Sequence, residues 1–230
     1  MPKVSTPASP NDYRPISVTP ILSRIAEKYI AKHYIRPVIP GDAILDQFAF
    51  KPSGSTLVCL QDHVTYLLET NFYVRCFITD FSKAFGTAED LILVSKFSNF
   101  ALPADILNWI IDFLTDRQQL CKLGSVLSHP VSISRGIIQG SGLGPTLYIR
   151  MKSDSKALCT DNVFIKFADD ADLLVPENSK VDVTDDFLHI KKWAVKNKLV
   201  LNLAKRKEIV LYRLNPKIVF ILLQWTRSNS

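Results

Sequence analysis

The stretch Lys166-Phe167-Ala168-Asp169-Asp170-Ala171-Asp172-Leu173-Leu174 decides how the rest of this chain is read. Val163-Phe164-Ile165 precede it and Val175 follows, so two short apolar runs flank an acidic corner. That pattern predicts a β-hairpin with Asp169 and Asp170 at or beside its turn. A solvated turn accounts for an isolated Asp-Asp pair, because Asp is a common turn residue. Adjacent carboxylates repel, however, and stay ionised cheaply only in water or beside a cation. Asp172, two residues further on, reads as hairpin surface.

Two other stretches change the weight of the acidic corner. Tyr73, Val74, Cys76, Phe77 and Ile78 are β-prone, and the strand they predict over residues 73–79 ends in a third acid, Asp80. Residues 135–145, Arg-Gly-Ile-Ile-Gln-Gly-Ser-Gly-Leu-Gly-Pro, form a Gly-rich loop leading into a predicted helix over 145–157. Acids at two strand ends, with a Gly-rich loop between them in sequence, could hold divalent ions and a polyphosphate.

With those residues in view, the chain resembles the reverse transcriptase domain of a non-LTR (LINE-type) retrotransposon. The matching blocks are Asn11-Asp12-Tyr13-Arg14-Pro15-Ile16-Ser17, residues 46–52 with Ser55-Thr56, residues 80–85, 135–145 and 167–170, then Trp193 to Asn197, Leu201-Asn202-Leu203 and Lys205 to Lys207. They fall in the family's order over roughly residues 11–213. The resemblance implies an α+β polymerase right hand, fingers and palm, with an antiparallel palm sheet backed by helices and no stretch resembling a thumb. It implies an RNA-directed DNA polymerase that adds deoxynucleotides to a primer 3′-hydroxyl on an RNA template. Asp80, Asp169 and Asp170 would be the catalytic metal ligands, for two Mg²⁺ ions with Mn²⁺ as a substitute. Arg14, Lys51, Phe81, Phe85, Gln139, Gly140 and Lys207 would contact the nucleotide. Phe85 would sit beneath the sugar and select against a 2′-hydroxyl, whereas a core Phe is the alternative from the residue alone. Lys207 would lie near the leaving pyrophosphate, against the alternative of a solvated charge.

The chain also departs from the family pattern. Gly86 stands where an acid usually follows Phe85, Asp90 where a histidine is common, Ile138 where Pro usually precedes Gln139, and Arg206 where Thr is common. The helix after Gly144-Pro145 is unusually polar, with Arg150, Lys152, Asp154 and Lys156. None of these removes an acid of the triad. A catalytically inactive, nucleic-acid-binding remnant of the same fold is the alternative function.

Composition fits this picture without demanding it. The 230 residues are 47% hydrophobic and 22% charged, ordinary for a globular protein of one or two domains. A net charge of +6 mildly favours an anionic partner. Cys59, Cys76, Cys121 and Cys159 are scattered, which suits a reducing compartment and does not suit a zinc site. No basic-then-apolar leader is visible and the longest apolar run near the C-terminus, residues 218–223, is too short to span a bilayer. An intracellular setting, nuclear or cytoplasmic, is therefore expected.

In chain order, residues 1–12 read as a loose lead-in. Thr19-Pro20 predicts a helix start, with Ile21, Leu22, Ile25, Ala26, Tyr29 and Ile30 as one apolar helical stripe and Arg24, Lys28 and Lys32 off it, a basic face that reads as solvated surface or a nucleic-acid track. Helices are predicted over 56–69, 90–100, 103–114 and 183–197, and strands pair around Leu123-Gly124-Ser125. Strands over 199–201 and 208–212 close the recognisable region of 13–213, and residues 214–230 read as an unmatched, frayed tail.

Overall fold

The structure, a computed structural model, describes residues 4–9, 12–13, 16–50, 56–82, 84–214 and 217–223. Arg14 and Lys51 lie outside the described residues. In chain order the elements are α1 (Ile21–Ile30), α2 (Thr56–Thr70), β1 (Tyr73–Asp80), α3 (Ala84–Thr87), α4 (Asp90–Ser98) and α5 (Ala104–Leu114). Short strands β2 (Arg117–Gln119), β3 (Lys122–Leu123), β4 (Val126–Leu127) and β5 (Val131–Ile133) follow. Then come α6 (Gly144–Lys152), β6 (Val163–Phe167), β7 (Asp170–Pro176), α7 (Val183–Lys196), β8 (Lys207–Leu214) and β9 (Lys217–Leu223). The chain folds as two compact units, one of residues 1–39 and 85–151, the other of residues 40–84 and 152–230.

The second unit is built on a five-stranded antiparallel sheet in the order β6-β7-β1-β8-β9. Alternation along β1 splits its side chains between two faces. Val74 and Cys76 pack with Leu174, Ile165 and Leu211 against Cys59, Val64, Leu67 and Leu68 of α2. Phe77, on the opposite face, meets Phe187 of α7 with ring centroids 4.9 Å apart. Asp182 caps α7, its carboxylate accepting from the Thr184 amide at 2.8 Å. The sheet is thus covered by one helix on each side, so its central strand, β1, is fixed before any site is considered. The outer edge of β6 is fastened at Lys166, whose amide donates to the Asp46 carbonyl at 2.7 Å. The Lys166 ammonium is fully buried and reaches Asp46 at 3.0 Å and the carbonyls of Lys152 and Ser155 at 3.0 and 2.8 Å. Lys156 joins the same Asp46 carboxylate at 3.1 Å.

In the first unit, β2 pairs with β5 and β3 with β4 around Gly124-Ser125, as the turn residues predict. Asp90, where the family often has a histidine, forms an ion pair with Arg117 at 2.6 Å. Arg150 lies over the Phe100 ring, 3.8 Å from its centroid, and donates to the Lys96 carbonyl, while Lys96 donates to the Met151 carbonyl at 2.8 Å. Arg150 of α6 is therefore turned inward, onto a backbone carbonyl.

Three expectations need correction. The α1 stripe does not face inward: Ile21, Leu22, Ile25 and Tyr29 are exposed, and Glu27 is the buried residue. Glu27 accepts from the Leu143 amide at 3.1 Å and from Ser23 Oγ at 2.9 Å, so satisfying a buried backbone donor sets the helix phase. The helix expected over 145–157 stops at Lys152, five residues early, where Ser155 and Lys152 give their carbonyls to Lys166. The frayed tail is a strand over Lys217–Leu223, in register with β8 from Leu214↔Lys217 to Glu208↔Leu223.

Candidate active site

The second unit brings the three predicted acids to one corner. β1 ends at Asp80 and β7 starts at Asp170, and the two residues are direct cross-strand partners. β6 and β7 are joined through Ala168-Asp169, with Phe167↔Asp170 the last rung. The hairpin expected from the sequence is therefore present with Asp169 in its turn. The Phe81 amide donates to the Asp169 carbonyl at 3.1 Å, which ties the turn to the end of β1. Ala168 has φ +52°, at the first turn position where a hairpin of this length favours glycine. Its carbonyl accepts from the Lys152 ammonium at 2.7 Å.

Cations surround the corner. Lys205 reaches Asp80 Oδ2 at 2.8 Å, and Asn202 donates its amide to the Asp80 carbonyl at 2.7 Å. The hydrogen bond to Asp80, then the Asp80, Asp169 and Asp170 charges, hold the Lys205 ammonium above its ordinary range. Burial, followed by the charges of Asp169 and Asp80, pushes the Asp170 carboxyl up. Lys152 is 0% exposed, and burial followed by the nearby Lys166 charge lowers it to about 7. Its ammonium also lies 4.3 Å from the centroid of the Phe81 ring. Asp172 corrects the reading as hairpin surface: it is half-buried on the α2 face, and burial first, then the Asp170 charge, raises it to about 6.

As placed, no three acid, His or Cys side chains among the described residues converge as a metal cage. The donor set nevertheless fits a divalent ion in kind. Three carboxylates on adjacent backbone positions are the hard oxygen ligands that Mg²⁺ takes. An ammonium, Lys205, already stands in the joint field of all three.

The remaining predicted residues are placed as follows. The Phe81 ring is 1% exposed, edge-on to Trp193 at 6.1 Å, so its side chain belongs to the core and offers no surface to a nucleotide. Lys207 is exposed at the start of β8, and Lys205, two residues earlier, is the lysine that reaches the acids. In the first unit, Phe85 stacks on the buried Tyr148 with centroids 4.2 Å apart. The Gln139 carbonyl accepts from the Ser17 amide at 2.8 Å. Gly140 has φ +112°, and a Cβ there would run into the Ser17 carbonyl, a backbone reason for glycine. Sequence reasoning missed Lys205 and Lys152. The signal for Lys205 was its place in the matched 205–207 block, and that for Lys152 was the unusual polarity of α6.

A family model described as reverse transcriptase (RNA-dependent DNA polymerase) matches residues 1–222. The chain belongs to the reverse transcriptase family. This reverse transcriptase domain is 26% identical over 227 residues to the probable RNA-directed DNA polymerase from transposon X-element of Drosophila melanogaster, covering 92% of the chain and 25% of that protein. It is 28% identical over 215 residues to the RNA-directed DNA polymerase from mobile element jockey of Drosophila funebris, covering 86% of the chain and 23% of that protein. The expected non-LTR retrotransposon relationship is borne out. The chain spans about a quarter of the length of these curated relatives. Among solved structures it is similar to telomerase from Candida tropicalis in complex with a TWJ fragment of telomeric RNA, with TM-score 0.57 and 13% identity, covering 82% of the chain and 32% of that protein. Telomerase from Candida albicans in complex with the corresponding fragment gives TM-score 0.56 at 13% identity, covering 90% of the chain and 34% of that protein. That likeness shows the fold, the α+β right-hand polymerase class expected from the sequence. Among the described residues no helix is long and apolar enough to cross a membrane.

Proposed function

We propose that this chain carries the nucleotidyl-transfer centre of an RNA-directed DNA polymerase, with Asp80, Asp169 and Asp170 as its ion ligands. The observation that carries the reading is the Asp80↔Asp170 rung beside Asp169, with one ammonium in the field of all three carboxylates. Its substrates would be an RNA template, a DNA primer and deoxynucleoside triphosphates. A pair of Mg²⁺ ions held by these acids would stabilise the attacking and leaving oxygens of an in-line displacement. In that displacement the primer 3′-oxygen bonds to the α-phosphorus, the bond to pyrophosphate breaks, and the 3′-hydroxyl proton passes to water.

The chain's own residues divide the remaining work. Asp80 and Asp170 hold their relative position through the backbone rung, and Asp169 through the Phe81 amide. Lys205 compensates Asp80 in the absence of substrate and is placed to meet the negative charge of a triphosphate, acting as a point charge. Lys207, exposed two residues on, is a second cation for the leaving pyrophosphate. Arg14, Lys51, Gln139 and Gly140 would contact the nucleotide, and Phe85 would select the deoxy sugar. Primer extension on an RNA template with Mg²⁺, comparing the parent with Asp80→Asn and Asp169→Asn in the full-length element protein, tests the reading. Loss of extension in both folded variants supports it, and full extension by either overturns the assignment.

A further inference from the structure

We infer that Lys152 is a resident counter-ion for the acidic turn, a positioning residue whose buried ammonium supplies positive charge behind Asp169 and Asp170 and competes with a divalent ion for them. The inference rests on the reading of those acids as ion ligands. Lys152 is the last residue of α6 and belongs to the second unit. The ammonium is fully buried and donates to the carbonyl of Ala168, the residue before Asp169, at 2.7 Å. Beneath it lies the Phe81 ring at 4.3 Å, and the Phe81 amide holds the Asp169 carbonyl at 3.1 Å. Ring, ammonium and turn therefore form one packed group.

The charges around that group decide what Lys152 does. Its cationic neighbour is Lys166, and Lys166 has its own carboxylate in Asp46 at 3.0 Å. The acids that favour the charged form of Lys152 are Asp169 first, then Asp170, with Asp46 third. A buried ammonium is costly unless anions compensate it, and the leading compensating pair here is the pair proposed to bind ions. A divalent ion arriving at Asp169 and Asp170 meets carboxylates already part-neutralised from behind, and its own charge repels Lys152. Lys205 differs: it is exposed on Asp80 and can swing away, whereas Lys152 is enclosed.

The sign of one measurement separates this role from simple packing. Mn²⁺ binding to the full chain at pH 6, where the Lys152 ammonium is protonated, followed by the electron paramagnetic resonance of the free ion at low ionic strength, is compared in the parent, Lys152→Met and Lys152→Gln. Loss of a packing residue loosens the turn and weakens binding. Loss of a counter-ion strengthens it several-fold. Tighter binding by a folded variant is the expected result, and unchanged or weaker binding overturns the inference. Lys152→Gln keeps a donor for the Ala168 carbonyl and is the variant to use where Lys152→Met does not fold. Should neither fold, the Lys152 side-chain ¹⁵N signal of the parent is followed as Mg²⁺ is added: it must shift, and a static signal is the overturning result. Asp169→Asn serves as the separate control, since unchanged Mn²⁺ affinity in that variant would defeat the ion-ligand reading itself.

Discussion

Asp172→Asn should stabilise the metal-free protein, and by an amount that depends on pH. Asp172 is half-buried opposite Ile78 on β1 and Ile165 on β6, a position where a neutral carboxyl is tolerated better than a carboxylate. Its folded value of about 6 stands above an ordinary 3.8. The folded state therefore holds the proton longer than the unfolded chain, and the penalty for ionised Asp172 is absent below the unfolded value and complete above the folded one. At 1.36 kcal/mol per unit, the penalty at pH 8 is about 3 kcal/mol, and at pH 4.5 about 1 kcal/mol. Asn keeps the size of the side chain and cannot ionise. For a chain of this length 1 kcal/mol moves the melting temperature by roughly 2–4 °C, so the gain at pH 8 should be several degrees.

The assay is thermal unfolding of parent and variant in EDTA at pH 8 and pH 4.5. The reasoning is refuted if Asp172→Asn melts no higher at pH 8, or if its gain is the same at both pH values. Asp172 takes no part in the proposed chemistry, so the measurement isolates burial of charge from catalysis.

Further outcomes are expected. Lys152 near 7 and Lys166 near 8 both sit below the unfolded lysine value, so the unfolded chain binds more protons between those values and 10.5; stability in denaturant titrations should rise from pH 7 to pH 9, and a fall would contradict both shifts. Lys166→Met leaves Asp46, among the described residues, with the half-exposed Lys156 at ion-pair distance and should cost about 3 kcal/mol in the same titration. Phe85→Ala removes a half-buried ring stacked on Tyr148, costs about 3 kcal/mol, and in an active full-length protein should raise the ribo/deoxy incorporation ratio; an unchanged ratio would mark Phe85 as packing alone. Gly86→Asp meets open space, since nothing lies within 4 Å of a Cβ there, and replaces a poor helix residue, so it should raise stability by about 0.3 kcal/mol and raise extension in the full-length protein. Gly136→Ala, by contrast, should destabilise, because Gly136 has φ +99° and a Cβ there would come within 3.0 Å of the Gly86 backbone.

The palm sheet was legible because its strands announce themselves locally. Residues 73–80 and 163–176 carry β-prone runs ended by acids, and the register that follows puts Asp80 opposite Asp170. β9 carries an equally local signal, the apolar run 218–223, but none of the motif blocks quoted from the sequence covers it. A short apolar run bounded by turn residues is strand-like whether or not a motif covers it.

The buried charged residues were not legible for a different reason, and it bears on how the site works. Lys152, Lys166, Glu27 and Arg150 each sit inside the fold with a backbone amide or carbonyl as partner. Those partners are from 11 residues away, for Lys166 and Ser155, to 116 away, for Glu27 and Leu143, so helical or strand periodicity holds no record of them. Composition assigns such residues to solvent, and for most charged side chains that assignment is right. It fails where a chain ends a helix or a turn inside the protein and leaves carbonyls that water cannot reach. The Ala168 turn is such a place: a carbonyl in a left-handed position beside two acids needs a donor, and a lysine supplies both the hydrogen bond and the charge. The same side chain thus answers a backbone demand and an electrostatic one. For that reason Lys152→Gln and Lys152→Met should differ in stability while agreeing in the direction of their effect on Mn²⁺ binding.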